Sequence, residues 1–310
     1  MCPVCQTSVW QEESSDDQSF GLFRCIGCGC QQLVLDRVSP AALYHTYYSA
    51  GNAERYAGWF QRLWRFNRRQ KAKLFLRCGT HGSTVCDVGC ERGELLHVLK
   101  QSGWHVCGTQ LSQPAADFAR RQFGIEVFVG ELPEAPFAND VFDMVTMIEV
   151  LEHLPDPEAY LAHVSRMLRA GGIFWVEVPN AGSFTAKLCG KRWLHHDPEH
   201  HFWSFTKDGV VHLLRRYGFA VERVYHLGWE YSPIGCVQSW LNFLPGPRNR
   251  VFHMVRRGFS GRPGERLLQA ACVGLSLVLL PAACVVTILE RCIGNGQIVL
   301  VKARKIQNHS

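Results

Sequence analysis

The sequence predicts an α/β chain: a parallel sheet with helices on both faces, a small cysteine-rich module ahead of it, and a hydrophobic helical insertion before the last strand. Three observations lead there. Short β-branched runs alternate with helix-patterned segments from about residue 83 to residue 178, which is the pattern of βαβ crossovers. Two Cys-x-x-Cys pairs open the chain, and an uncharged stretch, Leu267 to Leu289, precedes a final β-patterned run at Gly296 to Arg304.

Composition sets the outer bounds. The 310 residues, 47% of them hydrophobic, exclude a disordered or collagen-like chain and suffice for one large domain or two modest ones. Lys+Arg 33 against Asp+Glu 27 leaves a formal charge of +6, less than nucleic-acid binders concentrate on one face, so no nucleic-acid partner is expected. Met1-Cys2-Pro3-Val4-Cys5 lacks the basic and apolar regions of a secretory leader, so the chain is expected in the cytoplasm. There its 14 cysteines read as metal ligands and buried thiols.

The first element is a metal knuckle. Cys2-Pro-Val-Cys5 and Cys25-Ile-Gly-Cys28 have zinc-ribbon spacing, and four thiolates close the tetrahedron that zinc prefers, which makes the expected zinc structural. Cys30 is a spare candidate ligand. The acidic, polar Gln11 to Gln18 between the pairs builds no core, so the metal is expected to supply the folding energy. Then follow a turn-like, Tyr-rich stretch from Ser39 to Tyr56 and an amphipathic helix over Arg55 to Arg77. Trp59, Leu63, Phe66 and Leu74 share one face of it, while Arg62, Arg65, Arg68, Arg69, Lys71 and Lys73 are expected to form a solvated one.

The next unit, Ser83 to Leu96, is a strand running through a glycine turn into a helix. Gly89 and Gly93 allow tight turning and close backbone approach, and the helix offers its positive end to an anionic group. A second strand over Trp104 to Ser112 carries Gln110 where nucleotide-binding folds place a ribose-holding acid. Strands at Ile125 to Val129, Phe142 to Ile148 and Ile173 to Val178 continue the alternation, the last fed by the turn Arg169-Ala-Gly-Gly172.

Val85-Cys-Asp-Val-Gly-Cys-Glu-Arg-Gly93, Phe142-Asp-Met-Val-Thr-Met-Ile-Glu-Val-Leu-Glu-His153 and Leu168-Arg-Ala-Gly-Gly172 together resemble the class I S-adenosylmethionine-dependent methyltransferases. The resemblance is to the bacterial branch whose methyltransferase domain follows a zinc module, and it covers Cys2 to about Val224. It implies a Rossmann-like, seven-stranded sheet. It also implies a loop of Asp87, Gly89 and Gly93 around the methionine moiety of S-adenosylmethionine, with Asp87 near the ammonium group. Gln110 and Leu111 fall at the ribose position, Glu131 and Leu132 at the adenine-flanking turn, and Glu149 where cofactor and acceptor meet. Glu91 stands in place of a usual glycine and Gln110 in place of an acid, two departures expected to weaken cofactor binding. They also favour a competing reading, a noncatalytic scaffold retaining the fold.

Methyl transfer needs alignment and, for a hydroxyl or acidic carbon, a base. Within Trp193 to Phe205, His200 or His201 is the candidate base, with a loop-pinning role as the alternative. His153 reads as a core histidine. A second metal site from His195, His196, His200 and His201 lacks supporting ligand spacing.

A helix over Thr206 to Tyr217, a strand over Phe219 to Tyr225 and the final run complete the fold. The insertion from about Trp229 to Asn295 is too long for a plain connection. Arg248, Arg250, Arg256, Arg257, Arg262 and Arg266 surround apolar residues there, an interfacial pattern. Leu267 to Leu289 is long enough to cross a bilayer, but the final strand must return to the starting side. A broken or re-entrant helical pair around Pro281, or a segment lying in the membrane interface, is therefore expected, against a buried hairpin or dimer interface. The expected organisation is a ribbon at 1–38, linker and covering helix at 39–80, cofactor-binding core at 81–228, insertion at 229–295 and last strand with tail at 296–310. The expected acceptor is small or lipid-linked, such as a glycan intermediate, a sugar or a quinone-like ring. The expected location is cytoplasmic, peripheral on the inner face of an anionic membrane through 248–290.

Overall fold

The computed structural model describes residues 1–13, 20–34, 58–197, 200–226, 228, 232–257 and 263–306; side chains are described at all of these except 58–65, 255–257, 263 and 265. The acidic segment between the cysteine pairs, the Tyr-rich stretch, and the side chains of Trp59, Arg62, Leu63, Arg65, Arg256, Arg257 and Arg262 thus fall outside the described residues.

The chain opens with three short strands, β1 (Trp10–Glu12), β2 (Gly21–Cys25) and β3 (Gln31–Val34), and then the helix α1 (Gly58–Leu76). The alternation follows as β4 (Thr84–Val88), α2 (Glu94–Gln101), β5 (His105–Gln110), α3 (Gln113–Phe123), β6 (Glu126–Val129), β7 (Phe142–Ile148), α4 (Pro157–Met167) and β8 (Leu168–Pro179). After these come α5 (Phe184–Cys189), β9 (Trp203–Ser204), α6 (Lys207–Arg216), β10 (Phe219–Tyr225), α7 (Ser232–Leu241), α8 (Arg250–Arg257), α9 (Pro263–Cys292) and β11 (Ile298–Lys305).

The main sheet has seven strands in the order β10-β11-β8-β7-β4-β5-β6, parallel except for β11, which runs antiparallel to both neighbours. β5 and β6 extend from one side of β4 and β7 and β8 from the other, so the chain changes direction between β4 and β7. At such a switch point crossover helices leave on opposite faces and open a crevice at the carboxyl ends of the strands. The central strands are buried on both faces, which is why Phe142 to Ile148 reads as an almost continuous apolar run. The turn expected at Arg169 to Gly172 is instead part of β8, joined to β7 through an irregular register between Phe142 and Met144.

α1 corrects the expected solvated stripe in part: Arg69 and Lys73 are exposed as expected, and Arg68 and Lys71 are not. Ala72 and Phe75 are its core residues while Phe66 is exposed, and Phe75 packs against Trp175 at 4.8 Å between ring centroids. Arg68 and Lys71 are buried: Lys71 Nζ pairs with the buried Glu177 of β8 at 2.5 Å, and Arg68 Nη2 lies 3.4 Å from Glu91. Acidic partners in the core and the cofactor loop draw these cations inward, a choice that helical periodicity alone does not contain.

The cysteine module is joined to the core rather than tethered beside it. β1, β2 and β3 form an antiparallel sheet whose fourth strand is β9, with Gln31 opposite Ser204 and Gln32 opposite Trp203. Phe20, Leu22 and Leu33 form a small apolar cluster within it. Cys2, Val4, Cys25 and Cys30 share one continuous core with Val88, Phe205, Val210 and Leu214. Cys30, the spare ligand, lies outside the four-thiol cluster, and its Sγ accepts from Thr206 N at 3.4 Å.

The insertion contains one unbroken helix where a broken pair was expected. α9 continues through Pro281. Proline removes one amide donor, leaving the carbonyl four residues earlier without its bond. That carbonyl belongs to Leu277, an exposed residue beside an exposed Pro281, so no buried acceptor is stranded and the helix persists.

Candidate active site

β4 ends in Asp87 and Val88 at the switch point. Asp87 is buried, its Oδ1 accepting a 2.6 Å bond from Thr146 Oγ1 on β7, and burial pushes its carboxyl up to about 6 against that bond. Thr146 escaped the sequence reading, although a lone hydroxyl in an apolar central strand was the signal. The backbone then turns sharply: Gly89 (φ 72°), Glu91 (φ 50°) and Gly93 (φ 78°) are all left-handed. The amides of Gly89 and Cys90 both donate to Thr109 O at 3.0 Å, which holds the loop open above the sheet. Glu91 therefore occupies a conformation that favours glycine, which accounts for the glycine implied there by resemblance. Its carboxylate is directed to Arg68 on α1.

Gly89 has a steric as well as a conformational reason. A Cβ there would lie 2.6 Å from Val150 Cγ2. Gly89→Ala is expected to lower affinity for S-adenosylhomocysteine by at least about tenfold while costing roughly 1–2 kcal/mol of stability, checked by calorimetric titration and thermal unfolding.

Gln110 closes β5 at the same edge and folds back on its own chain, its Oε1 accepting from Leu111 N at 2.7 Å and Ser112 N at 3.4 Å. Leu111 is half-buried at that turn. Glu131 caps the short helical turn Leu132–Glu134, and the Leu132 side chain enters the core. Asp87, Gly89, Gly93, Gln110 and Leu111 thus lie along the carboxyl ends of β4 and β5, with Glu131 and Leu132 just past β6.

Glu149 ends β7 with φ 56°, a strained conformation outside glycine, and its amide donates to Glu177 O at 3.0 Å. Beyond it, Glu152, His153 and His201 converge, with one ligand atom from each lying within 4.8 Å of the others. The 195–205 segment is held there because Phe202 N donates to Glu152 O at 2.9 Å. His153 Nδ1 donates to His200 O and His201 Nδ1 to His195 O, both at 2.8 Å, which makes Nε2 the lone-pair nitrogen of each ring. Burial holds His153 down to about 3 and His201 down to about 4, and it drives Glu152 well above the carboxylate range. Two neutral imidazoles and a buried carboxyl form a donor set that suits a divalent cation.

His200 stands outside this donor set. Its Nδ1 lies 2.7 Å from Asp197 Oδ2. Although burial opposes it, the His200 hydrogen bond holds Asp197 down to about 2. The four histidines, whose spacing did not support a metal site, do not gather at one point: His196 is occupied by Gly190 O and by the Gln31 amide oxygen, each at 2.9 Å. His153, expected to be a core histidine, instead joins His201 at 4.5 Å between ring centroids. Sequence spacing missed Glu152, because only the docking of the 195–205 segment brings His201 to it.

The knuckle cysteines come together as expected. Sγ atoms of Cys2, Cys5, Cys25 and Cys28 all lie within 4.8 Å of one another, Cys2 to Cys28 at 3.6 Å and Cys5 to Cys25 at 3.4 Å. A zinc tetrahedron with bonds of about 2.3 Å has edges near 3.8 Å, so these four thiols fit the ion.

Residues 54–224 match a family model described as a methyltransferase domain. A ubiquinone biosynthesis O-methyltransferase of Aromatoleum aromaticum is 36% identical over 173 residues, 52% of this chain and 73% of the relative. A namesake from Pseudomonas paraeruginosa is 32% identical over 110 residues, 34% of this chain and 47% of that protein. A solved S-adenosylmethionine-dependent methyltransferase from Archaeoglobus fulgidus shares the fold, with TM-score 0.50, 17% identity and coverage of 78% of this chain and 94% of that one. A chain from the complex of the Haloferax volcanii Trm112 activator with a putative methyltransferase does likewise, at TM-score 0.51 and 18% identity over 80% of this chain and 92% of that one. With its seven-stranded sheet, glycine loop and family match, the chain belongs to the class I S-adenosylmethionine-dependent methyltransferases.

Proposed function

We propose that this enzyme methylates a hydroxyl oxygen on a quinone-like ring carrying an apolar chain, at an anionic membrane surface that it meets through 248–290. The observation that carries the reading is the cluster of buried Glu152 with half-buried His153 and His201 beside the strand ends, supported by relatives named as O-methyltransferases. Asp87, Gly89 and Gly93 hold the methionine moiety of S-adenosylmethionine, Gln110 and Leu111 the ribose, and Glu131 and Leu132 flank the adenine. Glu149 stands between cofactor and acceptor.

Glu152, His153 and His201 would hold a divalent cation, which when bound would lower the pKa of an acceptor hydroxyl. His200, oriented through Nδ1 by Asp197, takes the proton at Nε2, as in a dyad of base and orienting acid. His201 is better suited to ligation than to proton transfer, because burial leaves it neutral well below pH 7. The four knuckle cysteines hold zinc and keep the acceptor segment in place through β9.

The test is methyl transfer from S-adenosylmethionine to a dihydroxybenzene with a short isoprenoid chain, with magnesium or with chelator, and with Glu152→Gln and His201→Ala. The expected result is an O-methyl product by mass spectrometry, with rates falling at least about 100-fold on chelation or in either variant while cofactor affinity is kept. A C-methyl product overturns the reading, and so does the absence of transfer in protein that binds the cofactor.

A further inference from the structure

The insertion rises from the sheet edge at which the site lies. β11 begins with Ile298 opposite Pro179, the last residue of β8. Near the carboxyl end of α9, Glu290 accepts from Thr185 N at 2.6 Å and from Gln297 Nε2 at 3.0 Å. This buried network pins the end of α9 to the core.

One face of α9 is covered. Cys236, Val237 and Leu241 of α7 and Val251 and Met254 of α8 pack with Cys272 and Ala283. The opposite face is bare: Leu267, Val278, Val285 and Leu289 are 74%, 73%, 55% and 58% exposed. Exposed positions at 267, 271, 274, 278, 281, 285 and 289 recur every three or four residues and so form one stripe. No charged residue interrupts it from Leu267 to Leu289, a length of about 33 Å at 1.5 Å per residue. The most apolar 18-residue window of the helix has mean hydropathy 2.5, and only 17% of that window is buried. A core helix of a water-soluble domain hides such a surface, so this one has an extended apolar occupant.

Charge names the occupant. Between Asn242 and Gly264 the sequence carries five arginines and no acid. Arg248 is spent within the fold, where its guanidinium donates to the carbonyls of Lys191 and His196. Arg250 donates to Pro245 O at 3.3 Å beside the covered face of α9, Arg256, Arg257 and Arg262 follow it in the sequence, and Arg266 stands at the start of the apolar stripe. Arginines bordering an apolar helix face complement acidic headgroups above acyl chains.

We infer that the bare face of α9 docks on an anionic lipid bilayer, with the helix lying lengthwise in the interface instead of crossing it. α7 and α8 occupy one side of α9, so acyl chains cannot surround it, and β11 returns the chain to the sheet it left. The site edge then faces the leaflet. An acceptor with an apolar chain reaches the site without leaving the membrane, a step that rests on the acceptor proposed above.

The test uses the full, zinc-loaded chain. It is sedimented with vesicles of phosphatidylcholine alone or mixed with phosphatidylglycerol, without acceptor, and compared with the double variant Val278→Glu and Val285→Glu. Both positions are exposed, and retained cofactor affinity reports folding. Wild type is expected to sediment with the mixed vesicles, less so as salt rises, and the double variant to bind at least about tenfold more weakly while still methylating a water-soluble short-chain acceptor. Failure of that methylation in wild type would count against the proposed function and leave the docking result standing. Wild type remaining in the supernatant overturns the inference, as does unchanged binding of the double variant. A stable dimer that the double variant dissolves overturns it too, by giving the face to a second copy.

Discussion

Replacing Asp87 by asparagine is expected to weaken S-adenosylmethionine binding at least about 100-fold and to stabilise the cofactor-free protein at the same time. The first effect follows from the proposed role of Asp87 opposite the cofactor ammonium, since breaking such a buried pair costs about 3–5 kcal/mol. The second follows from burial. Holding this carboxylate ionised raises its pKa from 3.8 to about 6, a penalty of up to about 3 kcal/mol above pH 6. Because the folded value lies above the unfolded one, the penalty is relieved as pH falls from 6 towards 4. The asparagine variant should thus unfold at a higher temperature than wild type at pH 7, with the gap closing by about pH 4. Cofactor affinity of wild type should fall across the same window as Asp87 takes up its proton. Calorimetric titration and thermal unfolding across pH check both arms. An asparagine variant that binds the cofactor as tightly as wild type would remove Asp87 from the site.

Removing the zinc proposed for the four-cysteine knuckle is expected to damage acceptor chemistry while sparing cofactor binding. Structural zinc contributes on the order of 10 kcal/mol to a small module, and the apolar cluster of Phe20, Leu22 and Leu33 is too small to replace it. With Cys25→Ser, β3 would lose its partners and β9 its only neighbouring strand among the described residues. The Gln31 to His196 contact and the 3.0 Å bond from Leu33 N to Phe202 O go with it. His200 and His201 sit between those two anchors. The expected readout is faster amide exchange over 200–206 and a large loss of methyl transfer. S-adenosylhomocysteine affinity should stay within about twofold, because β4, β5 and β7 carry that site. Unchanged exchange over 200–206 in zinc-free protein would show that the ribbon does not brace the segment.

Much of the fold was legible beforehand. The apolar period and the glycine turn placed β7 and β10 at their observed bounds and the remaining core elements within a few residues, because central parallel strands are apolar on both faces and cannot be mistaken for surface. The cysteine knuckle was legible because ligand spacing is a local property. The pairing partners of α1 were not. Arg68 and Lys71 look like members of a solvated stripe until Glu91 and Glu177, distant in sequence, come beneath them. Nor was the fate of Pro281, since a proline's effect on a helix depends on whether the carbonyl it releases lies in solvent or in the core.

By itself the sequence determined the class of sheet, the order of its motifs, the position of the glycine turn after β4 and the four thiols of the knuckle, all of which depend on residues close together in the chain. Only the tertiary structure decided that Glu152, His153 and His201 meet, that Thr146 holds Asp87, that the ribbon is bound into the core through β9, and that α9 leaves one face bare. Each of those joins residues far apart in the chain or on separate strands. Contacts of that kind are set by the packing of whole elements, and no local pattern of residues encodes them.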